Sequence, residues 1–136
     1  MIAAQILHID DSSVDNSVSY WRAGQLVAMP TETVYGLGAD AANGEAVARI
    51  YSVKSRPQFN PLIVHVANQV IAQRYVQWNA HAEQLAQAFW PGPLTLVLKR
   101  AVGCTISELV SAGGETLAIR VPAHPVARQL LKAFDG

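Results

Sequence analysis

Residues 26–65, LVAMPTETVYGLGADAANGEAVARIYSVKSRPQFNPLIVH, leave the chain little choice of fold. Leu26 to Met29 is a short apolar run that reads as a buried strand. Pro30 lacks an amide donor and ends it. Asn43 is placed to cap a helix, whose inner face would be Ala46, Val47, Ile50 and Tyr51. That helix must stop near Lys54, because Pro57 drives Arg56 out of the helical region. Leu62–Ala67 then reads as a second strand, apolar on both faces and so expected to be central and covered. A strand, a helix and a strand in succession point to an α/β domain.

The stop before Pro57 has a chemical consequence. Residues two apart point to opposite sides of a helix but to the same side of an extended chain. Lys54 and Arg56 can therefore converge on one anion, or they form a solvated basic helix end. Thr31, Thr33 and His65 lie in the same stretch of a weakly charged chain. Together they suit an anionic, hydroxyl-bearing ligand. A histidine on an apolar strand also reads as a hydrogen-bonded core residue.

The remainder supplies more of the same alternation. Ser12 or Ser13 is expected to cap a first helix, with Val14, Val18, Trp21 and Ala23 as its apolar stripe and Gly24 as its stop. Residues 1–12 read as an edge strand or a loose arm. Residues 69–89 read as one or two helices, the second capped by Asn79 and buried through Leu85, Ala86 and Phe89. Trp90-Pro91-Gly92-Pro93 is a rigid turn, and Leu94–Leu98 is a strand. Residues 101–115 are irregular. Thr116–Val121 is the last strand, with Thr116, Ala118 and Arg120 on one face. An arginine on so apolar a strand needs a partner. The choices are an internal carboxylate such as Glu32 or Asp40, or a ligand carboxylate held by the guanidinium fork. Pro125 opens a final helix with Val126, Leu130, Leu131 and Phe134 on its apolar face.

Several function classes are disfavoured. The 136 residues carry no formal net charge, so bulk charge gives no steering toward nucleic acid. Hydrophobic residues at 51% and charged ones at 15% fit a compact domain rather than a disordered chain. There is no G-x-x-x-x-G-K-[ST] loop, and Y-G-L-G-A-D lacks the third glycine of a dinucleotide site. The four histidines have no metal-ligand spacing, and the one cysteine, Cys104, fits a reducing cytoplasm. No apolar run approaches the ~20 residues of a membrane helix. The opening MIAAQILHIDDSS has no basic residue before its apolar part, unlike a signal peptide.

PTETVYGLGADA, followed by K-S-R-P and N-P-L and then by WPGPLTLVL and LAIRVP, closely resembles the YrdC-like threonylcarbamoyl-AMP synthase family. The resemblance runs from about Gly24 to the C-terminus and implies a twisted, mixed, open sheet with flanking helices, residues 1–136 forming one YrdC-like domain. It implies an enzyme that converts L-threonine, bicarbonate and ATP to L-threonylcarbamoyladenylate and pyrophosphate. A tRNA threonylcarbamoyltransferase complex would then use the product in the cytoplasm. Carried over residue by residue, Thr33, His65 and Arg120 would bind threonine. Lys54, Arg56, Asn60 and Thr116 would contact ATP, with magnesium on its phosphates and no dedicated metal site. No residue is assigned as acid or base, since the carbamate is itself the nucleophile. The family's S-x-N segment occurs nowhere here, so the chain is expected to be the N-terminal part of a longer domain. Two other readings are a carbamoyl-transfer domain of the hydrogenase-maturation type and a non-catalytic RNA-binding module.

Overall fold

A computed structural model describes residues 10–55, 57 and 60–135. Most of the arm expected over 1–12, and Arg56, lie outside them. Ten elements follow one another: α1 (Asp11–Arg22), β1 (Val27–Pro30), β2 (Tyr35–Gly38), α2 (Gly44–Val53), β3 (Ile63–His65), α3 (Gln69–Ala72), α4 (Ala80–Phe89), β4 (Leu96–Lys99), β5 (Thr116–Arg120) and α5 (Pro125–Phe134). β1 and β2 form an antiparallel hairpin, with Val27 opposite Gly38 and Pro30 opposite Tyr35. β3, β5 and β4 form a mixed sheet in that order, β3 parallel and β4 antiparallel to β5. The α/β class and the mixed open sheet with flanking helices are as expected.

Local chemistry sets most helix ends. Asn43 and Asn79 cap α2 and α4 through their side-chain oxygens. Gly24 ends the first helical segment at φ +79°, where a Cβ would be strained. The cap of α1 differs from expectation. Asp10 holds that place: its carboxylate accepts from Ser13 N at 2.7 Å, and Ser13 Oγ accepts from Asp10 N at 2.9 Å. This reciprocal pair satisfies two otherwise orphaned donors and outcompetes a lone serine cap.

Three other expectations are corrected. β2 was not anticipated, because YGLG carries no strand alternation; pairing with β1 makes it a strand. β3 is an edge strand among the described residues, and Ile63 is exposed beside a cleft rather than covered. α4 buries Ala82 and Ala86, while Leu85 and Phe89 face outward. The small residues let the helix approach closely. On its flank Glu83 accepts from the Trp78 indole at 2.7 Å and from the amides of Gln69 and Gln87.

Two apolar cores result. The larger packs α2 against the mixed sheet, with Val47, Tyr51, Val64, Val66, Leu117, Ile119 and Val121 inside it. Burying side chains such as Leu117 and Ile119 contributes roughly 1.5–3 kcal/mol each. The smaller joins α1, β1 and α5 through Val14, Trp21, Met29, Ala127 and Leu130. Trp21 meets Phe134 edge-on at 5.5 Å. Arg22 lies over the same ring and donates to the Phe134 carbonyl at 2.9 Å. The apolar face of α5 is thus covered by a helix and a hairpin.

Candidate functional site

The parallel ladder between β3 and β5 places His65 opposite Arg120 and Ile63 opposite Ala118. Partners in one rung share a face, so the imidazole and the guanidinium stand on the same side of the sheet. The opposite face carries Val64 and Ile119, both buried in the larger core.

Arg120 is buried at 6% exposure, so its charge must be met locally. Three groups from two segments meet it. Nε donates to the Gly92 carbonyl at 3.0 Å, Nη1 to Thr33 Oγ1 at 3.2 Å, and Nη2 to Glu32 Oε1 at 2.6 Å. A guanidinium has five N–H groups. Two have no partner among the described residues.

The Gly92 carbonyl is placed by the W-P-G-P turn, whose Trp90–Pro91 bond is cis. Gly92 N donates to Val121 O at 2.8 Å, and the Trp90 indole donates to Leu94 O at 2.7 Å. A Cβ on Gly92 would stand 2.4 Å from the Phe89 carbonyl oxygen. Only glycine fits there.

Thr33 and Glu32 come from the β1–β2 turn. Thr31 N donates to Val34 O at 2.9 Å and Thr31 Oγ1 to the same oxygen at 2.7 Å. With its one proton so used, Thr31 Oγ1 must accept from Thr33 Oγ1, 3.0 Å away. Thr33 then has a lone pair free to accept from Arg120. The bonds run in one sense, from guanidinium through two hydroxyls to a backbone carbonyl. Glu32 uses its other oxygen to accept from Ala123 N at 2.7 Å, fixing the turn to the segment between β5 and α5. Burial raises the Glu32 pKa, but hydrogen bonds from its own backbone and from Ala123, with the Arg120 charge, outweigh this and lower it. Of the two internal partners considered for Arg120, Glu32 is the one in contact. Asp40 instead accepts from Ala42 N at 3.0 Å.

His65 Nδ1 lies 3.2 Å from the Ile63 carbonyl, which can only accept, so Nδ1 carries the proton. Burial lowers the His65 pKa, and the nearby Arg120 charge adds to this against the Ile63 bond and Glu32. The ring is therefore neutral at pH 7, with Nε2 an open acceptor.

The other candidates sit apart. Lys54 is exposed at the end of α2 and borders a cleft of about 410 Å³ between the β1–β2 hairpin and β3. Thr31, Tyr35, Leu62 and His65 also line that cleft, while Arg120 and Thr33 stand outside its lining. Asn60 is half-buried, and its carbonyl oxygen lies 2.7 Å from the Tyr51 hydroxyl. Thr116 is exposed at the far end of β5, opposite Lys99. The structure therefore gathers Thr33, His65 and Arg120 and leaves Lys54, Asn60 and Thr116 dispersed. Sequence reasoning missed Gly92 and Ala123, because a backbone acceptor and a backbone donor leave no mark beyond Pro and Gly; it named Thr31 as a ligand hydroxyl, and the structure places it as the acceptor behind Thr33.

Comparison with known proteins bears on this geometry. Residues 19–136 match the Sua5/YciO/YrdC family, described as "Telomere recombination". A threonylcarbamoyl-AMP synthase of Pyrococcus abyssi is 43% identical over 131 residues, 93% of this chain and 37% of the relative. One from Bacillus subtilis is 43% identical over 127 residues, covering 93% of this chain and 36% of its own length. A crystal structure of P. abyssi Sua5 complexed with L-threonine superposes with a TM-score of 0.89 at 41% identity, over 95% of this chain and 38% of that one. The chain spans a little over a third of the length of these relatives. It belongs to the Sua5/YciO/YrdC family.

Proposed function

We propose that this chain provides the threonine-binding part of a threonylcarbamoyl-AMP synthase, acting as one YrdC-like domain. The carrying observation is Arg120: buried, held by three groups from two segments, and retaining two N–H groups without partners among the described residues. An α-carboxylate satisfies both with charge-assisted bonds. Neutral His65 offers Nε2 to the threonine hydroxyl. The names of the relatives and the threonine complex of one of them support the same ligand.

Lys54, with Arg56, Asn60 and Thr116, would contact ATP. The cations offset charge as the carbamate oxygen attacks the α-phosphate and pyrophosphate leaves. Positioning carries the rate more than proton transfer does. Among the described residues no group of three or more His, Cys, Asp or Glu could hold a metal. They do not form a magnesium cage, and magnesium would ride on phosphate oxygens and water. The product would pass to a tRNA threonylcarbamoyltransferase complex in the cytoplasm. No helix among the described residues is long and apolar enough to cross a membrane.

The test is calorimetry with L-threonine, followed by pyrophosphate release in the presence of ATP. Saturable threonine binding is expected, as is release that requires both threonine and bicarbonate. A folded protein that gives no threonine heat would overturn the reading.

A further inference from the structure

The site contains one charged group that substrate binding as described above does not use. Glu32 spends one lone pair of each oxygen on Arg120 and Ala123. A carboxylate has about four acceptor positions, and the backbone N–H groups of Glu32 itself and of His124 also act on this one, so what it offers a ligand is chiefly its negative charge. Its side chain is 25% exposed where that of Arg120 is 7% exposed, so of the two groups it is the one more open to solvent. Its direction is fixed from two sides, by the last residue of β5 and by the backbone just before α5. The pair thus holds opposite charges side by side, 2.6 Å apart.

That arrangement has a chemical complement. An isolated buried arginine would favour any small anion. An arginine already paired with a carboxylate is neutral as a unit, and an extra anion gains less from it. A zwitterion fits better, because its negative group meets the guanidinium while its positive group meets the carboxylate. Free α-amino acids are zwitterions at pH 7.

We propose that the Glu32–Arg120 pair reads the zwitterion of the amino-acid substrate, Arg120 taking the α-carboxylate and Glu32 the α-ammonium. The proposal rests on the threonine reading and adds a specificity residue to it. Glu32 selects against hydroxy acids and N-blocked amino acids, which keep the carboxylate but lack the cation. Because its pKa is lowered, Glu32 stays ionised and acts as a charge partner rather than as the base that deprotonates the amine.

The experiment compares two ligands on two proteins by calorimetry. The ligands are L-threonine and 2,3-dihydroxybutanoate of matching stereochemistry, in which a hydroxyl replaces the ammonium. Wild type should prefer threonine by about tenfold or more, the worth of one hydrogen bond between charged groups. Glu32→Gln keeps the shape and an acceptor for Ala123 N but removes the charge. In it the preference should fall to about twofold or less, with analogue affinity retained. Equal weakening of both ligands would reduce Glu32 to a prop for Arg120 and overturn the proposal. So would an unchanged preference. Should Glu32→Gln fail to fold, the wild-type ratio still decides, since equal affinity for both ligands defeats the proposal. Wild type that binds neither ligand defeats the threonine reading itself.

Discussion

The two halves of the proposed site are built on opposite physical terms. Around Arg120, a buried charge is met by a backbone carbonyl from one segment and by a hydroxyl and a carboxylate from another. Around Lys54, an exposed cation ends a helix beside an open cleft. A buried charge must be satisfied before the ligand arrives, so its geometry is set by folding. An exposed cation is satisfied by water until a phosphate displaces it. The first kind of group couples binding to stability, and the second does not.

The largest effects should therefore come from breaking the first half. Arg120→Ala leaves Glu32 without its cation and the Gly92 carbonyl without its donor. Removing one member of a buried, hydrogen-bonded charge pair costs ~3–5 kcal/mol of stability. Calorimetry should show threonine binding weakened by ~2–5 kcal/mol in whatever fraction remains folded. A folded Arg120→Ala protein with unchanged threonine affinity would remove Arg120 from the site. Gly92→Ala should follow closely. Its Cβ would meet the Phe89 carbonyl at 2.4 Å, so the turn must shift and carry its own carbonyl away from Arg120. Denaturant unfolding should register a loss of ~1–3 kcal/mol, the usual range for a strained backbone position. Wild-type stability and threonine affinity in Gly92→Ala would show that the turn does not position the guanidinium.

Acid should sharpen the comparison. The His65 pKa lies below its ordinary 6.5, so the unfolded chain takes up that proton first. Stability should fall as the pH drops below 6.5 and level off once the folded-state pKa is passed. Glu32 is also lowered, from 4.5, and the stability of its ionised form is present above that pH. It is lost as the pH falls through the folded value. Melting temperatures followed from pH 8 to well below 4.5 should then decline in two stages, and His65→Gln should remove the upper one. A flat profile between pH 7 and 5 would show that the imidazole is not held neutral by burial.

What could be read from the chain follows the same division. Local signals were legible: the Asn43 and Asn79 caps, the Gly24 stop, the end of α2 at Lys54 and the alternation of β5. The family and the gathering of Thr33, His65 and Arg120 rest on motifs spread along the chain. Long-range choices were not legible. Arg120 announces the need for a partner, yet only folding brings Glu32, 88 positions away, ahead of Asp40. YGLG becomes a strand through its neighbour. α4 turns its alanines inward because close packing against a small residue can outweigh the transfer of Leu85 and Phe89. None of these is a property of a short window.

The smallest structural effect should come from the second half, and its smallness is the point. Lys54 is exposed, and while its backbone N–H closes the helix end on Ile50 O, its side chain makes no hydrogen bond or ion pair among the described residues. Lys54→Ala should change unfolding free energy by no more than ~0.5 kcal/mol, as surface substitutions do. Threonine affinity of the free protein should be unaffected, since the Arg120 cluster is assembled without it. Only the nucleotide step should respond: the ATP concentration for half-maximal pyrophosphate release should rise, and more so when Arg56 is also replaced by Ala. Arg56→Lys should restore part of the loss, because a point charge cannot reproduce a planar fork on a phosphate. The assay titrates ATP at saturating threonine and bicarbonate. A Lys54→Ala, Arg56→Ala protein as active as wild type would return both cations to a solvated helix end. A Lys54→Ala protein that lost threonine binding would show that the two halves are coupled.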